Sequence, residues 1–223
     1  MSEASERAVS SVGEKSQETG PLLVVGLGNP GVEYVWTPHN AGYMAIDRIA
    51  SQQGVTVQNR RGKALTGVTR IGGREVILAK PETFMNLSGL SVAALMKEFS
   101  SREGARPSLV VLYDELDLAL GAMKIKERGS AAGHNGARSI TGSLGTDEWL
   151  RIRIGVGSVL AAEAVAVGAG RIGRRGGRDY LLTPMRKADL AVLDEVLDRA
   201  AQAVRQIVES GPAAAMNEWN RRA

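Results

Sequence analysis

Two apolar runs that do not alternate with polar residues limit most strongly how this chain can fold. They are LLVV at 22–25 and LVVL at 109–112. A strand that is apolar on both faces is typical of a parallel sheet covered by helices on both sides. Segments with helical periodicity accompany these strands, at 39–54, 88–101, 133–145 and 185–210. A hairpin signal around Gly72 and Gly73 adds antiparallel strands. Together these patterns predict an α/β fold, a single-domain three-layer α/β/α architecture with a central mixed β-sheet.

The chain is predicted to begin with a tail. Residues 1–20 are polar, which predicts a disordered N-terminal tail before a domain at 21–223. The tail lacks the apolar segment of a secretory signal, and no uncharged apolar run reaches membrane-spanning length. We therefore expect a cytoplasmic protein without a membrane partner. The net charge of +4 is unevenly placed and suits a polyanionic partner.

The counts of cysteine and histidine exclude several kinds of site. The chain has no cysteine and only two histidines. A disulfide framework, a thiolate nucleophile, a cysteine-based metal site and a histidine-rich metal cluster are therefore excluded. We expect neither a metal nor a cofactor.

The segment LLVVGLGNPG contains Gly26, Gly28 and Gly31 in the G-x-G-x-x-G pattern of dinucleotide-binding turns. That function also needs a helix that begins inside the motif, and an acid about twenty residues later at the end of a strand. Here an extended loop is predicted at 32–40, and Asp47 lies within a predicted helix. We therefore expect the glycines to allow a sharp turn and to leave room for a ligand. An oxidoreductase remains an alternative, which a lack of nicotinamide or flavin binding would eliminate.

Several polar residues that could take part in catalysis or binding lie where predicted helices and strands begin or end. They are Asn29, His39, Asn86, Asp114, His134 and Asn135. In open α/β sheets, sites lie beyond the carboxyl ends of the strands. Asn29 and Asp114 follow buried strands directly, so we expect the set to meet at that edge.

Four segments resemble bacterial peptidyl-tRNA hydrolase in their order and spacing. They are VVGLGNPGVEYVWTPHNAG, KPETFMNLSG, VLYDELDL and GHNG, and the resemblance covers about residues 21 to 220. It implies a monomeric α/β enzyme that acts on peptidyl-tRNA. The reaction would be hydrolysis of the ester between the peptide and the terminal ribose of tRNA.

The resemblance also implies roles for the catalytic residues. His39 would be the general base that activates water, which suits an imidazole near neutral pH. Asp114 would orient that imidazole and stabilise its charged form. Asn29 would help to distinguish a blocked α-amine from a free one. The residues alone favour a histidine that caps or packs at the start of a helix, and the set of four motifs favours the general base instead.

A second group is expected to bind the peptidyl end of the substrate. Carboxamides suit a neutral peptide because they offer a donor and an acceptor without charge. By resemblance, the substrate-binding residues would be Tyr34, Phe84, Met85, Asn86, His134 and Asn135. Phe84 and Met85 could alternatively be ordinary core residues.

Basic residues are expected to bind tRNA phosphates. The candidates lie on a short exposed strand and in a glycine-rich loop within 158–178, and are Lys124, Lys126, Arg174, Arg175 and Arg178. A solvated face is the alternative. A further possibility is an RNA-binding protein of the same fold without hydrolytic activity, against which the intact His39 and Asp114 argue. Ala131 and Ala132 replace residues of the family's flexible glycine-rich loop, which predicts a stiffer segment there.

Overall fold

A seven-stranded mixed sheet organises the described part of the chain. The structure is a computed structural model that describes residues 20–100, 107–157 and 174–222. The strands are β1 (Leu22–Gly26), β2 (Asn59–Arg61), β3 (Ala64–Ile71), β4 (Arg74–Pro81), β5 (Ser108–Ala119), β6 (Met123–Lys126) and β7 (Leu150–Gly157). Their order is β2-β3-β4-β1-β5-β7-β6. The four inner strands β4, β1, β5 and β7 are parallel, while β2, β3 and β6 pair antiparallel at the two sides.

Helices cover both faces of this sheet. They are α1 (Ala41–Gln52), α2 (Ser88–Glu98), α3 (Asn135–Leu144), α4 (Arg174–Leu181), α5 (Lys187–Ser210) and α6 (Pro212–Trp219). Short 3-10 turns occur at Val32–Tyr34, Pro38–Asn40, Met85–Leu87 and Asn220–Arg222. The expected extended loop at 32–40 is therefore partly coiled into two such turns. No helix in the described ranges is long and apolar enough to cross a membrane.

The alternation of side chains along β1 divides the core into two layers. Val24 packs with the apolar residues of α1, α5 and α6, whereas Leu23 and Val25 pack with those of α2 and α3. Because successive strand residues point to opposite faces, a strand apolar throughout needs helices on both sides. The three-layer α/β/α fold with a mixed sheet is thus confirmed.

The position of Asp114 in its strand differs from the prediction. The carboxylate was expected at the end of a buried strand, but β5 continues past Asp114 to Ala119, with Asp114 opposite Ile154 of β7. The neighbouring strand β1 ends at Gly26, opposite Leu112. Asp114 therefore lies beyond the carboxyl end of β1 and within its own strand.

Helix α4 corrects the predicted glycine-rich loop. Residues 174–181 are helical, and Tyr180 anchors them by donating its hydroxyl to the Val156 carbonyl at 2.7 Å. Leu181 packs against the core, so tertiary contacts outweigh the low helix propensity of two glycines. The side chains of Arg174, Arg175 and Arg178 fall outside the described part of the chain. Residues 158–173 and nearly all of the predicted tail lie outside it too.

Candidate active site

Reciprocal hydrogen bonds fix the loop after β1 against the beginning of α1. The Asn29 amide donates to Asn40 Oδ1 at 2.9 Å, and Asn40 Nδ2 donates to the Asn29 carbonyl at 3.1 Å. Asn29 Oδ1 in turn accepts from the Met85 amide at 2.9 Å. Both asparagines are buried. Two carboxamides thus hold three loops together, and His39 sits in the turn that they hold.

The glycine pattern serves this same packing. A Cβ at Gly26 would come within 2.6 Å of the Gly42 carbonyl carbon, and one at Gly28 within 2.6 Å of the Tyr43 ring. Helix α1 begins at Ala41, well after Gly31, whose φ of 126° makes the turn. Gly26 and Gly28 therefore make room for α1 and not for a ligand, which corrects the expectation. A pyrophosphate-binding helix would begin inside the motif.

His39 and Asp114 form a buried hydrogen-bonded pair. His39 Nδ1 lies 2.8 Å from Asp114 Oδ1, although the two residues are far apart in the sequence. His39 is 8% exposed and Asp114 is 2% exposed. Because Asp114 accepts at Nδ1, the neutral imidazole carries its proton there and leaves Nε2 as a base.

His134 binds the same carboxylate oxygen. Its Nε2 lies 2.9 Å from Asp114 Oδ1, and its Nδ1 accepts from the Ala137 amide at 3.2 Å. The Ala137 contact makes Nδ1 an acceptor, so Nε2 is the nitrogen that donates to Asp114. His134 also caps the amino end of α3. Both ring nitrogens therefore have protein partners, and the predicted contact of His134 with substrate stays a prediction.

Burial and charge act in opposite directions on this site. Burial by itself would lower the pKa of His39, but the charge of Asp114 and its hydrogen bond outweigh burial and raise that pKa above 6.5. Burial would raise the pKa of Asp114, yet its interactions with His39 and His134 hold it well below its usual range. The carboxylate is thus ionised at neutral pH and favours the protonated imidazole. This arrangement suits a base that takes a proton during a reaction.

Three side chains of this site could also bind a metal ion, namely His39, Asp114 and His134. The low number of histidines excluded a histidine-rich cluster but did not indicate a group of two histidines and one carboxylate. Their possible ligand atoms lie within 4.8 Å of one another. A metal would need the facing nitrogens as lone-pair donors, whereas here they meet the carboxylate as N–H donors. The hydrogen-bonded form fits a general base better than a metal site. Independence of metal stays a prediction.

The structure separates the remaining predicted substrate residues by exposure. Met85 is buried in the α2–α3 layer, while Phe84 is 57% exposed, which rules out a core role for Phe84. Tyr34 is half-buried, and the asparagines Asn86 and Asn135 are exposed. Asn135 Oδ1 accepts from the Arg138 guanidinium. The segments at 32–36 and 84–90, which contain Tyr34 and Asn86, also carry exposed apolar side chains. These are Val32, Val35, Trp36, Phe84, Leu87 and Leu90.

Lys124 and Lys126 lie on the edge strand β6, two strands away from β5, which carries Asp114. Met123 and Ile125 of that strand are buried, so the lysines occupy its other face, Lys126 exposed and Lys124 half-buried. Lys124 pairs in register with Arg153 of β7. Arg153 forms an ion pair with the buried Glu115.

Two residues of this region received no role from the sequence. Asn40 follows His39 directly, and its carboxamide type was the available signal. Arg151 lies between apolar positions of an alternating strand, a pattern that normally indicates a solvent-facing side chain, yet it is 1% exposed.

Comparisons with known proteins agree with the geometry. A family model described as peptidyl-tRNA hydrolase matches residues 23–223. The peptidyl-tRNA hydrolase of Acidobacterium capsulatum is 57% identical over 201 residues, which cover 90% of this chain and 96% of the relative. That of Koribacter versatilis is 48% identical, with 90% and 92% covered.

A solved structure is similar throughout its fold. The crystal structure of peptidyl-tRNA hydrolase from Acinetobacter baumannii aligns with a TM-score of 0.74 and 32% identity, over 91% of this chain and 95% of that one. The family resemblance seen in the four sequence motifs is thereby confirmed. This chain belongs to the peptidyl-tRNA hydrolase family of enzymes.

Proposed function

We propose that this enzyme hydrolyses the ester that joins a peptide to the 3'-terminal ribose of tRNA, with His39 as general base. The observation that carries the proposal is the buried pair in which Asp114 Oδ1 accepts from His39 Nδ1 at 2.8 Å. This bond commits Nδ1 and leaves Nε2 to act on water. Family membership supports the substrate class.

The reaction follows from that geometry. His39 Nε2 takes a proton from water as the water oxygen bonds to the ester carbonyl carbon. The tetrahedral intermediate then breaks its bond to the ribose oxygen, and the imidazolium returns the proton to that oxygen. The products are a free tRNA hydroxyl and a peptide carboxylic acid, which loses its proton to solvent and becomes the carboxylate. Asp114 lowers the barrier because its negative charge stabilises the imidazolium that forms between the two steps.

Amide groups around the base are proposed to bind the peptidyl end. Asn86 and Asn135 offer exposed carboxamides to peptide bonds or to the water. Asn29 has committed its Oδ1 to the Met85 amide, so we assign its Nδ2 as the donor to a substrate carbonyl. Tyr34 and Phe84 supply apolar walls. The Asp114 carboxylate is buried and already accepts from both imidazoles, so it is not free to receive an ammonium, and the site would reject a free α-amine.

The tRNA would be held by charge. Lys124 and Lys126 on β6 are candidates for phosphate contacts, together with Arg174, Arg175 and Arg178 of α4. We further propose that the enzyme acts as a monomer, because one chain supplies His39, Asp114 and His134. A function in translation would place it in the cytoplasm.

The test is release of tRNA from an N-blocked aminoacyl-tRNA, with the unblocked form as control. We expect hydrolysis of the blocked form alone, undiminished by chelators. His39→Ala should lower kcat by at least about 10²-fold, the usual contribution of a general base, and leave tRNA binding intact. Undiminished turnover of that variant would refute His39 as base. Binding without hydrolysis by the wild type would favour the RNA-binding alternative.

A further inference from the structure

One buried arginine connects the two loops on either side of α3. Arg151 Nη1 donates to the carbonyls of Gly129 at 2.6 Å and Ser130 at 3.3 Å, before the helix. Its Nη2 donates to the carbonyl of Asp147 at 2.9 Å, after the helix. Three main-chain acceptors thus converge on one planar group, whose fork of donors can hold them in fixed directions.

The same guanidinium begins a stack of rings that reaches the catalytic group. It lies 3.7 Å from the centre of the Trp149 ring. Trp149 meets Tyr113 edge-on at 6.4 Å between centroids, and Tyr113 meets the His134 ring at 4.7 Å. Both Trp149 and Tyr113 are buried, at 4% and 1% exposed. The His134 ring, which donates to Asp114, therefore packs against Tyr113, and Arg151 lies at the far end of this stack.

The loop that Arg151 holds is one that would not keep its shape by local preference. Gly129, Ala132 and Gly133 have φ angles of 141°, 47° and 87°. The left-handed region is unfavourable for an alanine because its Cβ crowds the neighbouring carbonyl, so Ala132 needs outside support. The loop ends at His134, whose amide donates to the Ala131 carbonyl at 2.8 Å. Its shape is thus fixed at the start by Arg151 and at the end by His134.

We infer that Arg151 is a positioning residue for the reaction, although it touches neither His39 nor Asp114. It sets the loop at 129–133 and the Trp149–Tyr113 stack, and through them holds His134 Nε2 at 2.9 Å from Asp114. That contact helps to fix the Asp114 carboxylate on which His39 depends. The inference rests on the proposed function for its kinetic consequence, and on the structure alone for the position of His134.

A methionine in place of Arg151 tests this role, because it keeps a long side chain and removes every donor. We expect kcat to fall by about 100-fold, the scale for misplacing a reacting group by 1 Å, while KM for the tRNA substrate stays within about twofold. The pH profile of kcat should shift, because Asp114 loses a partner that competes with His39. Guanidinium ion in the assay should restore part of the lost kcat.

A second readout does not depend on catalysis. The chain has only two histidines, so the ring nitrogens of His39 and His134 can be followed separately by ¹⁵N NMR of the tag-free protein. The His134 signals should move in Arg151→Met and stay in the control Arg74→Met. Arg74 also donates to a main-chain carbonyl, that of Gly20 at 2.9 Å, but lies at the amino edge of the sheet.

The outcomes separate cleanly. A folded Arg151→Met with wild-type kcat and unmoved His134 signals overturns the inference. So does a loss of kcat that Arg74→Met reproduces with the same pH profile. If Arg151→Met does not fold, Arg151→Lys replaces it, since one ammonium cannot hold carbonyls on both sides of α3 at once. Wild-type kcat and unmoved signals in Arg151→Lys likewise overturn the inference. If the wild type hydrolyses nothing, the proposed function fails, and the NMR result still decides the positioning role.

Discussion

Adding one methyl group at Gly26 tests whether the glycine pattern exists for packing. A Cβ there would lie 2.5 Å from Ile46 Cγ1 and 2.6 Å from the Gly42 carbonyl carbon, and closer still to the Gly42 oxygen. Ordinary carbon contacts are about 3.5–4.0 Å, so α1 would have to move by about 1 Å or more. Two of the three obstructing atoms are main chain, which no rotamer change can displace. The strain therefore falls on the junction of β1 and α1.

We expect Gly26→Ala to lower the free energy of unfolding by about 3 kcal/mol or more, at the upper end of the range for overpacked cores. That would be a large part of the roughly 5–15 kcal/mol that stabilises a typical domain. Urea unfolding followed by fluorescence and circular dichroism measures it. Any folded fraction should also lose kcat, because the displaced α1 carries the turn that holds His39.

Gly142→Ala is the matched control. Gly142 lies inside α3, and a Cβ there would meet no atom within 4 Å. The same substitution should therefore stabilise the protein by about 0.5–1 kcal/mol through the unfolded state. If the free energy of unfolding of Gly26→Ala instead lies within about 0.5 kcal/mol of the wild-type value, the packing explanation is wrong. A ligand-binding role for the pattern would then have to be considered again.

Two further predictions concern the base and the RNA contacts. In Asp114→Asn the pKa of His39 should fall below its ordinary value, because burial lowers it and the opposing carboxylate is gone. The acid limb of the pH–kcat profile should then move to lower pH, and kcat should fall by about 10²–10⁴-fold. An acid limb that stays in place or moves to higher pH would contradict the interaction assigned to Asp114 and His39. In the double variant Lys124→Ala, Lys126→Ala the salt dependence of KM for tRNA should flatten by about one unit of slope per lost phosphate contact, at unchanged kcat. An unaltered slope between about 50 and 200 mM salt would mean that the lysines are merely solvated.

Local patterns determined most of the architecture. The uninterrupted apolar run of β1 and the helical periodicity of α1 and α5 are properties of neighbouring residues, so they can be read before any long-range contact is known. A strand apolar on both faces also requires two helical layers, which is why the three-layer fold followed from the sequence. The positions of His39 and Asp114 next to these elements made them candidates, and the family resemblance, not their spacing, supplied their roles.

Only the tertiary structure decided which contacts the candidate residues make with one another. Asp114 and His39 meet across 75 positions of sequence, and no local signal indicates that His134 would bind the same oxygen. Helix α4 forms in a glycine-rich segment because Tyr180 and Leu181 dock on the sheet, a contact that local propensity does not contain. Arg151 stands at a position of the alternating strand where a solvent-facing side chain is expected. It is nevertheless buried, because main-chain carbonyls from both sides of α3 accept from its guanidinium. The sequence determined which side chains could do chemistry, whereas long-range packing determined which atoms they offer.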